Sequence, residues 1–380
     1  MSSIAIIGTG FVADLYMRSL ETFPGIALVA AFDTDPARRA AFAAYWKAPV
    51  VDSLQAVFEA RPGLILNLTN PGAHDSVSRA CLEAGFPVYS EKPLATTLAQ
   101  AEELHRLAAE RGLQIASAPC SLLGEAAQTA WLALRRGAIG TPRLVYAELD
   151  DGYITQAPYR DWISESGAPW PHQDEFAVGC TLEHAGYYLT WLTAFFGPIR
   201  QVAAASAQVS GVMLENGDAP APDFSVATLF FEGGMVARLT CSIIARHDHG
   251  LRIFGETGTL ELEECWANTA PVRIRKRLRI RRRLVESPLT YRFRIKGPTH
   301  PKVGRRGAAS MNFMLGPAEM LEAIAAGRPA RLGADFALHL TEVTLAIQEA
   351  LDQGVAQPVK SRFAPVAPMP WAEQGGSYGL

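Results

Sequence analysis

The chain carries several short motifs whose residue types and spacing suit chemistry. Gly8-Thr9-Gly10-Phe11-Val12-Ala13 is a G-x-G-x-x-A directly after the apolar run Ser3 to Ile7. Small residues there let the backbone turn tightly and approach a pyrophosphate. The helix N-terminus that follows offers free N–H groups and positive partial charge. Asp33 ends the next apolar run, 23 residues past Gly10, near the ~20 expected for an acid that binds an adenosine ribose. A carboxylate there repels a 2′-phosphate, so NAD is favoured over NADP. Arg38 and Arg39 follow closely, soften that preference and keep NADP open. Thr69-Asn70-Pro71-Gly72-Ala73-His74 closes a third apolar run, and Glu91-Lys92-Pro93 follows a fourth. A lysine at such an edge is a point charge with a movable proton, which neighbouring carboxylates can tune.

The elements that must hold these motifs alternate. Ser3–Ile7, Ile26–Phe32, Leu64–Thr69, Pro87–Ser90 and Leu113–Ala116 read as strands that are apolar throughout. Pro36–Tyr45, Ser76–Ala84 and Leu98–Arg111 between them have helical spacing. Fully apolar strands with intervening helices imply a doubly wound parallel sheet covered on both faces. Gly8, Asp33, Asn70 and Lys92 then fall at the carboxyl ends of the strands, where such sheets bind ligands. After about residue 120 the pattern changes. Glu125–Arg136 reads as a helix. Arg143–Leu149, Gln201–Val209, Ser225–Phe231, Met235–Ile244, Gly250–Phe254 and Gly258–Glu263 read as longer strands, several of them alternating, as in an antiparallel sheet with one exposed face. One apolar helix is expected over Leu182–Phe196 and a last helix over Asp335–Leu351, followed by an extended tail. The expectation is α/β: a Rossmann domain over residues 1–120, then an α+β substrate and oligomerisation domain over 121–380 with a large, open, mostly antiparallel sheet.

Taken together, G-x-G-x-x-A, T-x-P-x-x-H and E-K-P resemble the glucose–fructose oxidoreductase, inositol 2-dehydrogenase and rhizopine-catabolism (Gfo/Idh/MocA) family. Arg136-Gly137-Ala138-Ile139-Gly140-Thr141-Pro142, Gly316-Pro317-Ala318-Glu319-Met320 and Ala337-Leu338-His339-Leu340-Thr341-Glu342 extend the resemblance over nearly the whole chain. It implies a catalytic lysine at Lys92 and a second-domain helix patterned D-x-G-x-H facing the nicotinamide. The matching stretch puts Glu183 at the acid, Ala185 at the glycine and Tyr187 at the usual histidine, with His184 as a rival proton carrier. A tyrosine lowered in pKa by Lys92 would take the hydroxyl proton as hydride leaves. The resemblance implies an NAD(P)-dependent oxidoreductase acting on a secondary hydroxyl or ketone of a sugar, polyol or sugar derivative. A redox-elimination glycoside hydrolase of the same fold and a catalytically silent cofactor-binding regulator stay open. A homo-oligomer, dimer or tetramer, is also implied.

The stretch from Asp150 to Glu175 is rich in aromatic and polar residues. Stacking rings with hydrogen-bonding carboxylates suit a sugar-like ligand, which singles out Tyr153, Trp162, Asp174 and Glu183 as substrate contacts. His172 with Asp174, and His184 with Glu183, raise a metal site, but the family resemblance implies none.

Composition sets the outer limits. Of 380 residues, 49% are apolar and 19% charged, which excludes a mostly disordered chain. No apolar run approaches the ~18 residues of a membrane helix, and MSSIAIIGTG does not read as a signal peptide. The five cysteines include no C-x-x-C pair, which suits a reducing cytoplasm. The formal net charge of −3 hides an asymmetry: residues 272–306 hold 14 Lys and Arg against the single acid Glu286. The acidic remainder speaks against nucleic-acid binding. Arg273 to Arg283 alternate with apolar residues, as a strand with a basic face would. That face reads as solvated edge protection or as a surface for an anionic ligand.

Overall fold

A computed structural model describes residues 2–305, 307–351, 354 and 356–373. Arg306 of the basic stretch and the last residues of the tail lie outside them. The first sheet comprises β1 (Ser2–Ile7), β2 (Ile26–Phe32), β3 (Leu64–Asn67), β4 (Val88–Ser90) and β5 (Ile115–Ser117). All are parallel, in the order β2-β1-β3-β4-β5. The chain leaves β1 toward β2 on one side and β3 on the other, so a crevice opens outside the carboxyl end of β1. Some of the flanking helices begin at a side-chain cap. Asp35 caps Pro36–Trp46 through Ala37 N at 2.8 Å. Thr97 caps Leu98–Arg111, which stops at Gly112 in the left-handed conformation.

The second sheet comprises β6 (Pro142–Asp150), β7 (Ile199–Ala207), β8 (Phe224–Phe231), β9 (Val236–Ser242), β10 (Leu251–Gly255), β11 (Gly258–Leu262), β12 (Val272–Ile280), β13 (Arg283–Phe293) and β14 (Ala356–Pro358). Their order is β13-β12-β11-β10-β6-β9-β8-β7-β14. Only the β6–β9 pair is parallel among the described residues. In β8 every second residue is buried, so one face rests on helices and the other is open.

The apolar helix expected over Leu182–Phe196 is two helices, Cys180–His184 and Gly186–Phe196. Regularity breaks at Ala185, beside the point where a Cβ on Gly186 would stand 3.1 Å from Pro119 Cδ. The helix expected over Asp335–Leu351 runs Ala334–Gln348, and the tail expected to be extended holds a short further helix, Pro370–Glu373. Helix Ala334–Gln348 packs on β5, on helix Leu98–Arg111 and on β7, so it ties the two sheets together. Gln348 accepts from Leu182 N at 3.2 Å and donates to Val178 O at 2.8 Å, which seats the helix carrying Glu183.

The basic stretch is a hairpin rather than one strand. Arg281 takes a left-handed φ of 54° at the turn, and β13 leads back from Arg283. Burial alternates only over Val272–Arg275, before a register shift against β13 between Arg275 and Arg277, and the strand itself ends at Ile280. Nearer the sheet, Arg273 pairs with Glu263 at 2.6 Å and Arg275 with Glu261 at 2.9 Å. The outer end exposes Leu278, Ile280 and Leu284 among its arginines.

Candidate active site

The nucleotide wall is built from the turns that leave β1, β2, β3 and β4. Gly8 has a φ of +94°, and a Cβ there would lie 2.5 Å from Leu68 O, so glycine alone fits. Nothing stands within 4 Å of a Cβ on Gly10. Helix Phe11–Leu20 starts at Gly10 with no side-chain cap, leaving its first N–H groups to a ligand. Thr9 N and Thr9 Oγ1 donate to Asp33 Oδ2 at 2.8 and 3.1 Å, which fixes that carboxylate beside the turn. Arg38 donates to Thr9 O at 2.7 Å and Arg39 to Asp33 O at 2.5 Å, so two guanidinium groups flank the same place.

The β3 and β4 turns are locked to each other. Fully buried Asn67 donates to His74 O and Ser78 Oγ and accepts from Thr69 Oγ1. His74 is also fully buried, with Nδ1 2.6 Å from Pro93 O and Nε2 2.8 Å from Thr69 O. Burial lowers its pKa, opposed by the two carbonyls, and a neutral ring donates to only one of them at a time. Glu91 accepts from Tyr16 OH at 2.7 Å and from Lys92 N at 3.0 Å. Lys92 is thereby held at the end of β4, and its Nζ ion-pairs with Glu183 Oε2 from the opposite wall. Glu183 is 3% exposed, and its Oε1 has no hydrogen-bond partner among the described residues. A buried carboxylate oxygen left bare costs free energy until a donor reaches it.

The opposite wall comes from scattered segments of the second half. A cavity of about 480 Å³ lies between the walls. Gly10, Phe11, Val12, Thr69, Asn70, Pro71, His74, Glu91 and Lys92 border it on one side. Asp151, Trp162, Trp170, Glu175, Glu183, His184, Tyr187, His247 and Trp266 border it on the other. The loop carrying Trp162 is fastened to the first sheet's layer. Glu165 takes a two-pronged hydrogen bond from Arg18 and another from Tyr45 OH at 2.8 Å, and Ser166 N donates to Asp14 Oδ2 at 2.6 Å.

Not every expected residue reaches the cavity. Gly8, Ala13 and Asp33 are not part of its lining; Gly8 and Ala13 are buried behind it, letting strand and helix approach. Tyr153 is 50% exposed and lies outside, because it turns out of the β6 end in a left-handed conformation. Asp174 also lies outside the lining and accepts from Asn70 Nδ2 at 2.6 Å, which joins the two walls at the rim. Tyr187 borders the cavity, but its pKa moves opposite to expectation. Burial first, then the nearby Glu91 charge, push the phenol well above its ordinary value. His184 has Nδ1 3.0 Å from Cys180 O and Nε2 3.1 Å from Asp151 Oδ2, so both nitrogens are engaged.

Sequence reasoning missed Asp151, Glu175, His247 and Trp266 as lining residues. Burial raises the pKa of Glu175, partly countered by Lys92 and His184. His247-Asp248-His249 did hold a local signal, two histidines one residue apart in an extended stretch.

Residues 2–118 match the oxidoreductase family with an NAD-binding Rossmann fold, and residues 127–261 match the GFO/IDH/MocA C-terminal domain. A D-apiose dehydrogenase of Paraburkholderia graminis is 26% identical over 68% of this chain and 66% of its own length. A putative UDP-kanosamine synthase oxidoreductase subunit of Amycolatopsis mediterranei is 32% identical over 55% of this chain and 54% of its own length. The chain thus aligns with just under two thirds, and with about half, of these relatives. The crystal structure of an inositol dehydrogenase homolog from Azotobacter vinelandii, complexed with NADH and myo-inositol, shares the fold. Its TM-score is 0.71 at 18% identity, covering 94% of this chain and 97% of that one. The glycine turn, the uncapped helix end and the Asp33 carboxylate fit NAD. The chain belongs to the Gfo/Idh/MocA family of NAD-binding oxidoreductases.

Proposed function

We propose that the protein transfers hydride between NAD and a secondary hydroxyl or ketone of a sugar, polyol or sugar derivative. The observation that carries this reading is the Lys92–Glu183 ion pair, which joins the nucleotide wall to the opposite wall beside the cavity. Bound NAD supplies the hydride acceptor or donor in its nicotinamide ring. The chain positions the substrate and handles the proton. Lys92 hydrogen-bonds the reacting oxygen. In oxidation the hydroxyl proton passes to Lys92 as Lys92 gives one to Glu183; in reduction the transfers reverse. Tyr187, kept protonated by burial, donates a hydrogen bond to the same oxygen and does not serve as a phenolate base. The engagement of both His184 nitrogens supports Tyr187 over His184 in this place. Trp162, Trp170 and Trp266 offer faces for a sugar ring, and Asp151 and Glu175 offer acceptors for its hydroxyls. The sugar named in each of the two relatives above supports this substrate class.

In this reading residues 1–120 hold the nucleotide and 121–380 the substrate. Asp33 favours NAD, and the flanking Arg38 and Arg39 leave room for NADP. The partly buried Val226 and Phe230 on the open sheet face support a dimer or tetramer, which light scattering after size-exclusion chromatography tests. Five free, buried cysteines support a reducing compartment. Among the described residues no helix is long and apolar enough to cross a membrane.

The test is a panel of sugars, polyols and nucleotide sugars with NAD+ and NADP+, followed by nicotinamide absorbance. Stoichiometric NADH formation with a panel member is the expected outcome. Substrate cleavage with no net NADH would favour the redox-elimination hydrolase. Cofactor binding with neither would favour the silent regulator.

A further inference from the structure

Beyond the hydride-transfer groups, two histidines and two carboxylates cluster beside the cavity, of which Asp151 and His247 line it. His247 and His249 alternate along the extended segment before β10, so both side chains point to one side. The antiparallel bridge Asp150↔Asp248 brings that segment alongside the end of β6, next to Asp151. Glu264 enters from the turn after β11. Their rings and carboxylates are close. The His247 and His249 ring centroids are 4.1 Å apart. Glu264 Oε1 lies 3.0 Å from His249 Nδ1, and Glu264 Oε2 lies 3.4 Å from His247 Nε2.

These contacts decide which nitrogens remain free. A carboxylate accepts only, so Glu264 takes the N–H of each imidazole and fixes each tautomer. The other nitrogen of each neutral ring is then left with a lone pair. His247 Nδ1 stands 3.8 Å from Asp151 Oδ1. His249 is fully buried, and its Nε2 has no hydrogen-bond partner among the described residues. One donor atom from each of Asp151, His247 and His249 lies within 4.8 Å of the others. Ligands about 2.1 Å from a shared tetrahedral centre stand about 3.4 Å apart, so small side-chain shifts close the set. Asp151 and Glu264 bring two carboxylates to a partly buried place, a charge that a divalent cation offsets.

We propose that Asp151, His247 and His249 bind one divalent first-row transition cation of the zinc or cobalt class, with Glu264 orienting both imidazoles from behind. Two histidines and one carboxylate leave coordination positions open. Asp151 and His247 border the cavity, so those positions face it, where oxygen ligands such as hydroxyls can enter. Cation binding needs neither NAD nor a substrate and stands whether or not the hydride-transfer reading does.

The test is titration of the chelator-treated full-length protein with Co2+, read by its visible absorption, and with Zn2+, read by calorimetry. About one equivalent per chain is expected to bind. His247→Ala, at a half-exposed position, and Asp151→Asn should each weaken binding at least ~10-fold, and Glu264→Gln about 10- to 100-fold. NADH binding, followed by fluorescence, should stay unchanged in all three variants and certifies their folding. Absence of stoichiometric binding by the wild type overturns the proposal. So does wild-type affinity in His247→Ala, which would place the ion on another surface histidine.

Discussion

The two walls of the cavity reach the same precision by different routes. The nucleotide wall is a row of short turns at one edge of a parallel sheet. Gly8 and Asp33 directly follow β1 and β2, Thr69 and Lys92 stand two residues past β3 and β4, and topology alone brings them together. The opposite wall gathers Asp151, Glu175, Glu183, His247 and Trp266 from the end of β6, two helices, an extended segment and a turn. Its geometry depends on supports elsewhere: Gln348 under the Glu183 helix, Glu264 behind the histidines, and Arg18 and Asp14 holding the Trp162 loop. A wall of local turns fails locally, whereas a wall of remote supports fails when a support is removed far from the chemistry.

That contrast orders the expected effects. The largest falls where the walls meet. Lys92→Ala should lower turnover by about 10³-fold, or ~4 kcal/mol, while NADH binding by fluorescence titration stays near wild type. Equal turnover would remove the lysine from the chemistry. Gly8→Ala comes next, because its Cβ has no room against Leu68 O and its φ disfavours a side chain. A stability loss of about 3 kcal/mol in urea melts is expected, together with weakened NADH binding. A folded variant with unchanged NADH affinity would mean the turn is not the phosphate cradle.

The support of the opposite wall can be loosened by acid. Burial holds His339 at a pKa of about 4, and its Nε2 accepts from Ile199 N at 3.0 Å as a neutral ring. In the unfolded chain the ring titrates near the ordinary ~6.5, so below that pH the unfolded state binds the extra proton. Stability should be whole above pH ~6.5 and fall toward pH 4 by at most about 3 kcal/mol from this group. His339→Gln should flatten that slope in urea melts at stepped pH. An unchanged slope would assign the loss to other groups.

Smaller effects separate recognition from scaffold. Asp33→Asn should weaken NAD binding by about tenfold, ~1.4 kcal/mol, and narrow the gap to NADP, read by parallel titrations. Replacing Arg279, Arg282 and Arg283 with serine should leave turnover and stability within about 0.5 kcal/mol. A loss of activity or a change in salt dependence would make the hairpin part of a binding surface.

The same contrast explains how much was legible in the sequence. G-x-G-x-x-A, Asp33 and E-K-P could be read because a parallel α/β layer writes its ligand edge as consecutive strand-to-helix turns. Glu183 and Tyr187 were reachable only through the family pattern, and the pKa direction of Tyr187 was not. Composition does not reveal that Glu91 lies nearby or that the phenol is buried. Tyr153 and Asp174 were chosen because they lie in an aromatic, polar stretch, and the stretch does reach the cavity. Which of its side chains point inward depends on the left-handed turn at Tyr153 and on the Asn70–Asp174 contact, made across 104 positions. The basic stretch misled for a related reason. Strict alternation predicts a strand but does not mark where a two-residue turn reverses it.

The most direct test of the account is Glu183→Gln, which keeps the shape of the buried side chain and removes the charge that pairs with Lys92 across the cavity. Turnover on the best substrate of the sugar and polyol panel should fall at least ~100-fold with NADH affinity within about twofold of wild type. Wild-type turnover in Glu183→Gln would contradict the claim that this ion pair carries the proton.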